Sequence, residues 1–128
     1  MIAPESTPAV TVMIAYELPH VRAALRALLE LEPNVVVLAD AVDFNGLLPA
    51  LQSHDADVLV LGVPPELERA RRAGVNAGAV LVGVGGRADE GPAGPGEPCY
   101  VPLGEAGRAL AKAVRAAARA PAVAFAER

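Results

Sequence analysis

Few residues at the predicted strand ends of this chain could do chemistry. The apolar run Val58–Leu61 is followed by Gly62, and the run Val10–Ala15 is followed by Tyr16 and Glu17. In an open α/β sheet, ligands bind outside the carboxyl ends of the strands. That edge offers a phenol, one carboxylate and a glycine here. A single carboxylate is a poor Mg²⁺ site, because the ion prefers several oxygen ligands, and glycine offers no nucleophile.

Other residues with chemical potential are interpreted as ordinary. GVGG at 83–86 follows a predicted strand, but Ala88 replaces the last glycine of G-x-G-x-x-G, so we expect a flexible turn. His20 and His54 are predicted surface residues. Cys99 is the single cysteine, which excludes an internal disulfide, and we expect it to be buried. No nucleophile–base pair is apparent, so the sequence predicts no enzyme activity, no cofactor and no metal site.

The composition predicts one domain with an aliphatic core. Of 128 residues, 53% are hydrophobic but only 3% are aromatic. The net charge of −4 gives no general reason to expect this domain to bind nucleic acid. The amino terminus does not resemble a signal peptide, and no apolar run approaches the length of a membrane span. We therefore expect a cytoplasmic domain with no membrane partner.

Apolar runs alternate with helical patterns along the chain. Strands are predicted at Val10–Ala15, Asn34–Asp40, 57–61, Ala79–Val84 and Cys99–Val101. Helices are predicted between Pro19 and Pro33, after a cap at Asp43, over 64–74 ending at Gly74, and over 104–120 before Pro121. Residues 1–9 and 121–128 are predicted flexible tails around a domain at 10–120.

This alternation predicts an α/β fold. Strands separated by helices pair in parallel through right-handed crossovers, and strands apolar on both faces need helices on both sides. Five strands fit the flavodoxin-like sheet of order 2-1-3-4-5. The segment Gly83–Pro98 breaks the rhythm, because its prolines and glycines oppose a helix. We expect the fourth crossover helix to be missing or replaced by a Gly/Pro-rich loop.

Three stretches share the pattern of a known family: VMIAYELPHVRAALRALLELEPNVVVLADA, ADVLVLGVP and CYVPLGEAGRALAKAVRAA. They resemble the receiver domain of bacterial response regulators, most closely the LuxR/NarL type. The resemblance covers about 10–120, with a gap at the missing helix. It implies a CheY-like fold and a role in two-component signalling.

The resemblance also locates the family's phosphorylation site in this chain. The acidic pair falls on Tyr16 and Glu17, and the phosphoacceptor aspartate on Gly62. The hydroxyl residue falls on Val84, and the lysine on or beside Leu103. The nucleophile, one acid, the hydroxyl and the lysine are therefore absent. The match implies an atypical receiver, or pseudo-receiver, that is not phosphorylated by the family mechanism.

Three residues near these positions have structural interpretations. The ring of Tyr16 could cover the vacated pocket beside Gly62, or it could be an exposed loop residue. Asp57 lies at the amino end of its strand, the wrong end for a substitute phosphoacceptor, and is predicted to cap or enter the strand. Tyr100 matches the family's switching aromatic only loosely.

Two functions remain open. In the first, the chain is a phosphorylation-independent regulatory and dimerisation module that controls transcription through a separate DNA-binding domain, which is not in this chain. In the alternative, a crevice at the strand ends binds a small metabolite, with Tyr16, Gly62, Gly85 and Gly86 as candidate lining residues. A classical phosphorylated switch ranks last.

A candidate interface lies on the last helix. Arg108, Lys112, Arg115 and Arg119 share one stripe by their spacing, and Arg22 and Arg26 lie on the first helix. A solvated basic face is the more ordinary interpretation of the stripe. The functional interpretation is a homodimer or partner-protein surface, with the stripe facing acids such as Glu30 and Glu32 of a partner.

Overall fold

The five strands form the predicted parallel sheet. The computed structural model describes residues 9–62, 64–75, 77–83 and 99–119. The strands are β1 (Val10–Ala15), β2 (Val35–Ala41), β3 (Val58–Leu61), β4 (Gly78–Gly83) and β5 (Cys99–Pro102). Their order is β2-β1-β3-β4-β5, and every pairing is parallel. The predicted fold class and strand order are confirmed.

The described helices are α1 (Pro19–Glu30), α2 (Leu48–Ser53), α3 (Pro64–Arg72) and α4 (Ala106–Arg119). Pro19 begins α1 at its first position, where no backbone donor is needed. Gly74 adopts a φ of 78° just beyond α3, the left-handed conformation that glycine tolerates best. The helix expected after Asp43 is instead a 3₁₀ turn, Phe44–Leu47, followed by α2. Asp43 caps that turn by accepting a hydrogen bond from Gly46 N at 3.0 Å.

Helices cover both faces of the sheet. On one face, α1 and α4 contribute Leu25, Leu29, Leu110 and Val114 to a core that includes Ile14. The opposite face packs a second set of buried residues around the 3₁₀ turn and α3: Met13, Leu59, Leu61, Phe44, Leu47, Leu67 and Ala70. Because successive strand residues point to opposite faces, two cores explain why the strands show no alternation with polar residues.

A β-bulge in β2 was not predicted. Val37 pairs with Val12 and Ala39 with Met13, so Leu38 is an extra residue in the ladder. The extra residue reverses which face the following side chains occupy. It places Asp40 opposite Ile14, on the face covered by α1.

Some predictions fall on residues outside the described part of the chain. These include both tails except residue 9, and the Gly/Pro-rich loop from residue 84 to residue 98. The domain boundaries at 10 and 120 therefore stay predictions. Among the described residues, no helix is long and apolar enough to cross a membrane.

Candidate functional site

The pairing of β1 with β3 places Tyr16 beside Gly62. Ala15 pairs with Leu61, and Gly62 N donates a hydrogen bond to Ala15 O at 3.1 Å. The Tyr16 side chain lies against the glycine and only 8% of the residue is exposed. A Cβ atom added at Gly62 would lie 2.7 Å from Tyr16 Cδ1 and 2.9 Å from Cε1. Residue 62 therefore accepts no side chain unless the ring moves.

Backbone contacts hold Tyr16 on both sides. Its N–H donates to Ala41 O at 3.0 Å, which extends the β1–β2 ladder by one step. Its carbonyl accepts from Arg22 Nη1 at 2.8 Å, and Arg22 Nε lies 3.3 Å from Asp40 Oδ1. Because β2 and α1 both hold the backbone of Tyr16 in place, the ring is directed over Gly62.

The Tyr16 phenol is kept neutral by its surroundings. Burial is the largest cause that raises its pKa, and the negative charge of Glu17 and the nearby Tyr100 raise it further. A neutral phenol with a raised pKa is a weak nucleophile and a weak metal ligand. It cannot supply the negative oxygens of the acid that the resemblance places at this position.

Glu17 is exposed at the same edge of the sheet. Within the described residues, no group of three or more His, Cys, Asp or Glu side chains could hold a metal ion. The carboxylate of Glu17 thus has no described set of partners with which to surround a divalent cation.

A small cleft lies next to Tyr16, and sequence reasoning did not identify Glu66 as one of its lining residues. The cleft has a volume of about 160 Å³ and is lined by Ala15, Tyr16, Glu17, Leu18, Val42, Gly62 and Glu66. Glu66 is only 8% exposed. Its carboxylate accepts from Phe44 N and from Arg69 Nη1, both at 2.9 Å, and so ties the 3₁₀ turn to α3. An acid in the first turn of a helix was the available signal.

The described residues at the ends of β4 and β5, Gly83, Pro102 and Leu103, carry no charge. The Tyr100 hydroxyl would lie 3.1 Å from a Cβ atom placed on Gly83, so this second tyrosine also packs over a glycine. Leu103, at the position that the resemblance gives to a lysine, is half-buried and packs against the core under α1 and α4. Its side chain serves packing and offers no charge.

The predicted crevice is described only in part. Tyr16 and Gly62 are brought together, as above. Val84, Gly85 and Gly86 lie outside the described residues, so their place in a crevice stays a prediction. Cys99 is buried, as predicted, and burial raises the pKa of its thiol. His20 and His54 are exposed, also as predicted.

The arginines of α1 bind acids of their own chain. Arg22 and Arg26 both form ion pairs with Asp40, and Arg26 also pairs with Glu30 at 2.9 Å. The hydrogen bond to Asp40 is the largest cause that raises the pKa of Arg26. Sequence analysis did not foresee the two pairs with Asp40, because the bulge that turns Asp40 toward α1 has no clear sequence signal.

The basic stripe of α4 is divided between two roles. Arg115 Nη2 lies 2.8 Å from Glu32 Oε1 of the same chain, so an acid expected from a partner is used internally. Arg108 and Lys112 are exposed. The side chain of Arg119 lies outside the described residues. Helices α1 and α4 pack side by side, as the predicted interface requires.

Asp57, at the amino end of β3, has the structural role that its position predicts. Its Oδ2 accepts from Thr11 N at 3.0 Å and from Thr11 Oγ1 at 3.1 Å, while its own N–H donates to Thr11 O at 2.9 Å. Its carbonyl accepts from Gly78 N at 2.9 Å. Asp57 therefore connects β1, β3 and β4.

Comparisons with known proteins agree on the fold. The NarL receiver domain from Mycobacterium tuberculosis superposes with a TM-score of 0.69 at 19% identity, covering 88% of this chain and 98% of that one. A LuxR-family DNA-binding response regulator from Staphylococcus aureus gives 0.68 at 17%, covering 86% and 99%. RcsB from Salmonella typhimurium gives 0.67 at 21%, covering 86% of this chain but 60% of RcsB, so this chain spans less than two thirds of RcsB.

A further RcsB structure contains two dimers bound to two parallel DNAs, with a TM-score of 0.66 at 20% identity, covering 84% of this chain and 59% of that one. No family model matches the sequence. No curated protein matches it either. At these identities the likeness concerns the fold, and it is independent of the sequence motifs at the strand ends. The structural neighbours of this chain are receiver domains of response regulators, and it shares their CheY-like fold.

Proposed function

We propose that this chain is an atypical receiver-type regulatory module that acts without aspartyl phosphorylation and is not an enzyme. The observation that carries this proposal is the Tyr16 ring against Gly62, at the position where the resemblance places the phosphoacceptor. A carboxylate at residue 62 and the ring cannot occupy the same space. The loss of the acceptor is therefore built into the packing of the edge.

The neighbouring groups support the proposal. Phosphoryl transfer needs a nucleophile, a metal ion that neutralises developing charge, and donors that hold the phosphoryl oxygens. Leu103 replaces a cationic side chain with an apolar one. Glu17 has no described carboxylate partners for Mg²⁺. Each change removes a different requirement of the reaction, so restoring one group would not restore the chemistry.

Intact-mass spectrometry after incubation with acetyl phosphate and Mg²⁺ tests the proposal. We expect no added phosphoryl group, while a NarL-type receiver in the same buffer serves as the positive control. A stable adduct of one phosphoryl group on this chain would overturn the proposal. Peptide mapping would then identify the acceptor residue.

We further propose that the module controls transcription through a DNA-binding domain that lies outside this chain, and thus acts in the cytoplasm. Support comes from the LuxR-family regulator and RcsB, both DNA-binding proteins among the structural neighbours, and from the 60% of RcsB that this chain spans. The sequence of the full gene product tests this step. This step is contradicted if the full gene product has no DNA-binding domain and no partner protein supplies one.

Self-association is the third part of the proposal. RcsB forms dimers on DNA, which supports self-association of this chain. Helices α1 and α4, which pack side by side with Arg108 and Lys112 exposed, offer one candidate surface. Light scattering coupled to size-exclusion chromatography measures the mass directly. A strict monomer at high micromolar concentration would contradict this part and leave the phosphorylation result untouched.

One observation favours a second function, the sensing of a small ligand. Leu18 and Val42 are 51% and 55% exposed, and both line the cleft beside Tyr16. A ligand that covers them would bury apolar surface. The described cleft of about 160 Å³ limits that ligand to a few heavy atoms. A thermal-shift screen tests this function, because a ligand that binds the native state raises the melting temperature.

A further inference from the structure

The exposed large apolar side chains come from one part of the sequence, around β2. Within the described residues, five large apolar side chains are exposed, and all belong to the segment from residue 18 to residue 48: Leu18, Leu31, Val36, Val42 and Leu48. Leu31 is the most exposed, at 80%. Val36 lies within β2 and Val42 directly follows it, so this strand carries exposed apolar side chains.

Strand β2 has an unpaired edge. Among the described strands, β2 pairs only with β1. Asn34 O and Ala41 O accept hydrogen bonds from β1, so the alternation of the backbone directs the amide groups of Val35, Val37 and Asp40 away from it. An edge of this kind can pair with another strand.

The features that usually protect such an edge are weak here. Edge strands commonly carry lysine, proline or free charges that discourage pairing. The only charged residue of β2 is Asp40, and Arg22 and Arg26 neutralise it. The bulge at Leu38, itself a common protective device, moves this carboxylate to the α1 face. The face of β2 on the α2 side, which includes Val36, is left without charge.

We propose that a second copy of this chain docks along β2, with the two β2 strands antiparallel about a two-fold axis. A two-fold axis requires a self-complementary surface, and β2 supplies one. In a pairing centred on Val37, with Leu38 as the extra residue of each strand, each Asp40 falls opposite Val35 of the second copy, so like charges do not meet. The unpaired edge of β2 is then covered on both copies.

This inference deepens the proposed function, because it names the surface through which the module self-associates. It is distinct from the α1–α4 surface, where Arg22, Arg26 and Arg115 already bind acids of their own chain. A phosphoryl adduct would overturn the proposed function and leave this surface standing. A dimer that forms through another surface would overturn this inference and leave the proposed function standing.

Light scattering on the purified chain and two lysine variants tests the surface. We expect the wild type to be a dimer and Val36→Lys to raise the dissociation constant by at least about tenfold. The matched control is Ala27→Lys, which places the same charge on an exposed residue of α1 and should leave the dimer intact. A monomeric wild type overturns the proposal, as does a dimer disrupted by Ala27→Lys but not by Val36→Lys.

Hydrogen exchange on the wild type and on Val36→Thr keeps the test independent of variant folding. Threonine keeps the β-branched shape of valine, so the strand itself should persist. We expect the amides of Val35, Val37 and Asp40 to exchange more slowly in concentrated than in dilute wild-type protein, and less so in the variant. Exchange that does not depend on concentration overturns the strand pairing.

Discussion

The two ends of the sheet treat polar side chains in opposite ways. At the amino end, the Asp57 carboxylate and the Thr11 hydroxyl bind each other and link β1 to β3. At the carboxyl end, where receivers carry their chemistry, a tyrosine ring packs on Gly62 and Leu103 packs into the core. The comparison teaches that a carboxylate connects strands at the amino end, whereas a ring packs over Gly62 at the carboxyl end and leaves Glu17 and Glu66 at the side of the cleft.

The largest expected effect tests the carboxyl end. Gly62→Ala places a methyl group against the Tyr16 ring, and we expect a loss of about 2 kcal/mol in the free energy of unfolding, within the usual range for an overpacked core. Urea denaturation followed by circular dichroism measures it. Gly107→Ala is the matched control, because nothing lies within 4 Å of its Cβ position. Alanine should stabilise the helix there.

A double-mutant cycle isolates the contact between the two residues. In the background of Tyr16→Ala the ring is absent, so Gly62→Ala should cost much less than it does in the wild type. Equal costs in the two backgrounds would show that residue 62 is constrained by something other than the ring. The proposed loss of phosphorylation would then lose its structural basis.

The next effect tests the amino end. Asp57→Ala removes the acceptor of two hydrogen bonds from Thr11, and we expect a loss of about 1 kcal/mol in the free energy of unfolding. The control is Asp55→Ala, since Asp55 contributes its backbone carbonyl to Thr11 rather than its carboxylate. If the two variants lose equal stability, the Asp57 carboxylate has no special role and the contrast between the two ends disappears.

A smaller effect concerns pH at the carboxyl end. The pKa of Tyr16 is raised in the folded protein above the ordinary value of 10.0. Above pH 10 the unfolded chain therefore loses this proton more readily, so stability that is present below that pH is lost as the pH rises. The melting temperature should fall less steeply between pH 9 and pH 11 for Tyr16→Phe than for the wild type. Identical slopes for the two proteins would place the phenol of Tyr16 in water.

Sequence reasoning located the strands and missed several side-chain contacts. Runs such as Val58–Leu61 predicted their strands within a residue, because a strand buried on both faces needs continuous apolar residues. The bulge at Leu38 was missed, since it depends on tertiary packing. The ion pairs of Asp40 with Arg22 and Arg26 were missed for the same reason. Such pairs depend on which face a residue occupies, and one extra residue reverses that face.

The sequence predicted which functional groups the candidate site lacks. It only suggested that the Tyr16 ring occupies their place. Aligning Gly62, Val84 and Leu103 with an expected pattern says which groups are missing. It does not say what occupies the space, because ring positions depend on rotamers and on anchors such as the Arg22 bond to Tyr16 O. The packing of Tyr16 over Gly62 and of Tyr100 over Gly83 depends on the strand register, which the sequence alone does not define.

The smallest expected effect ranks the polar contacts outside the strands. Arg115 and Glu32 are partly exposed, with 39% and 32% of their side chains accessible, so their ion pair should contribute about 0.5 kcal/mol. A double-mutant cycle with Arg115→Ala and Glu32→Ala measures the coupling, and Arg108→Ala with Glu32→Ala is the control pair. Coupling should vanish at high salt, because screening weakens exposed pairs. A coupling energy as large as the loss of stability in Asp57→Ala would contradict this ranking. The ion pair between Arg115 and Glu32 would then contribute as much as the Asp57 contacts between strands.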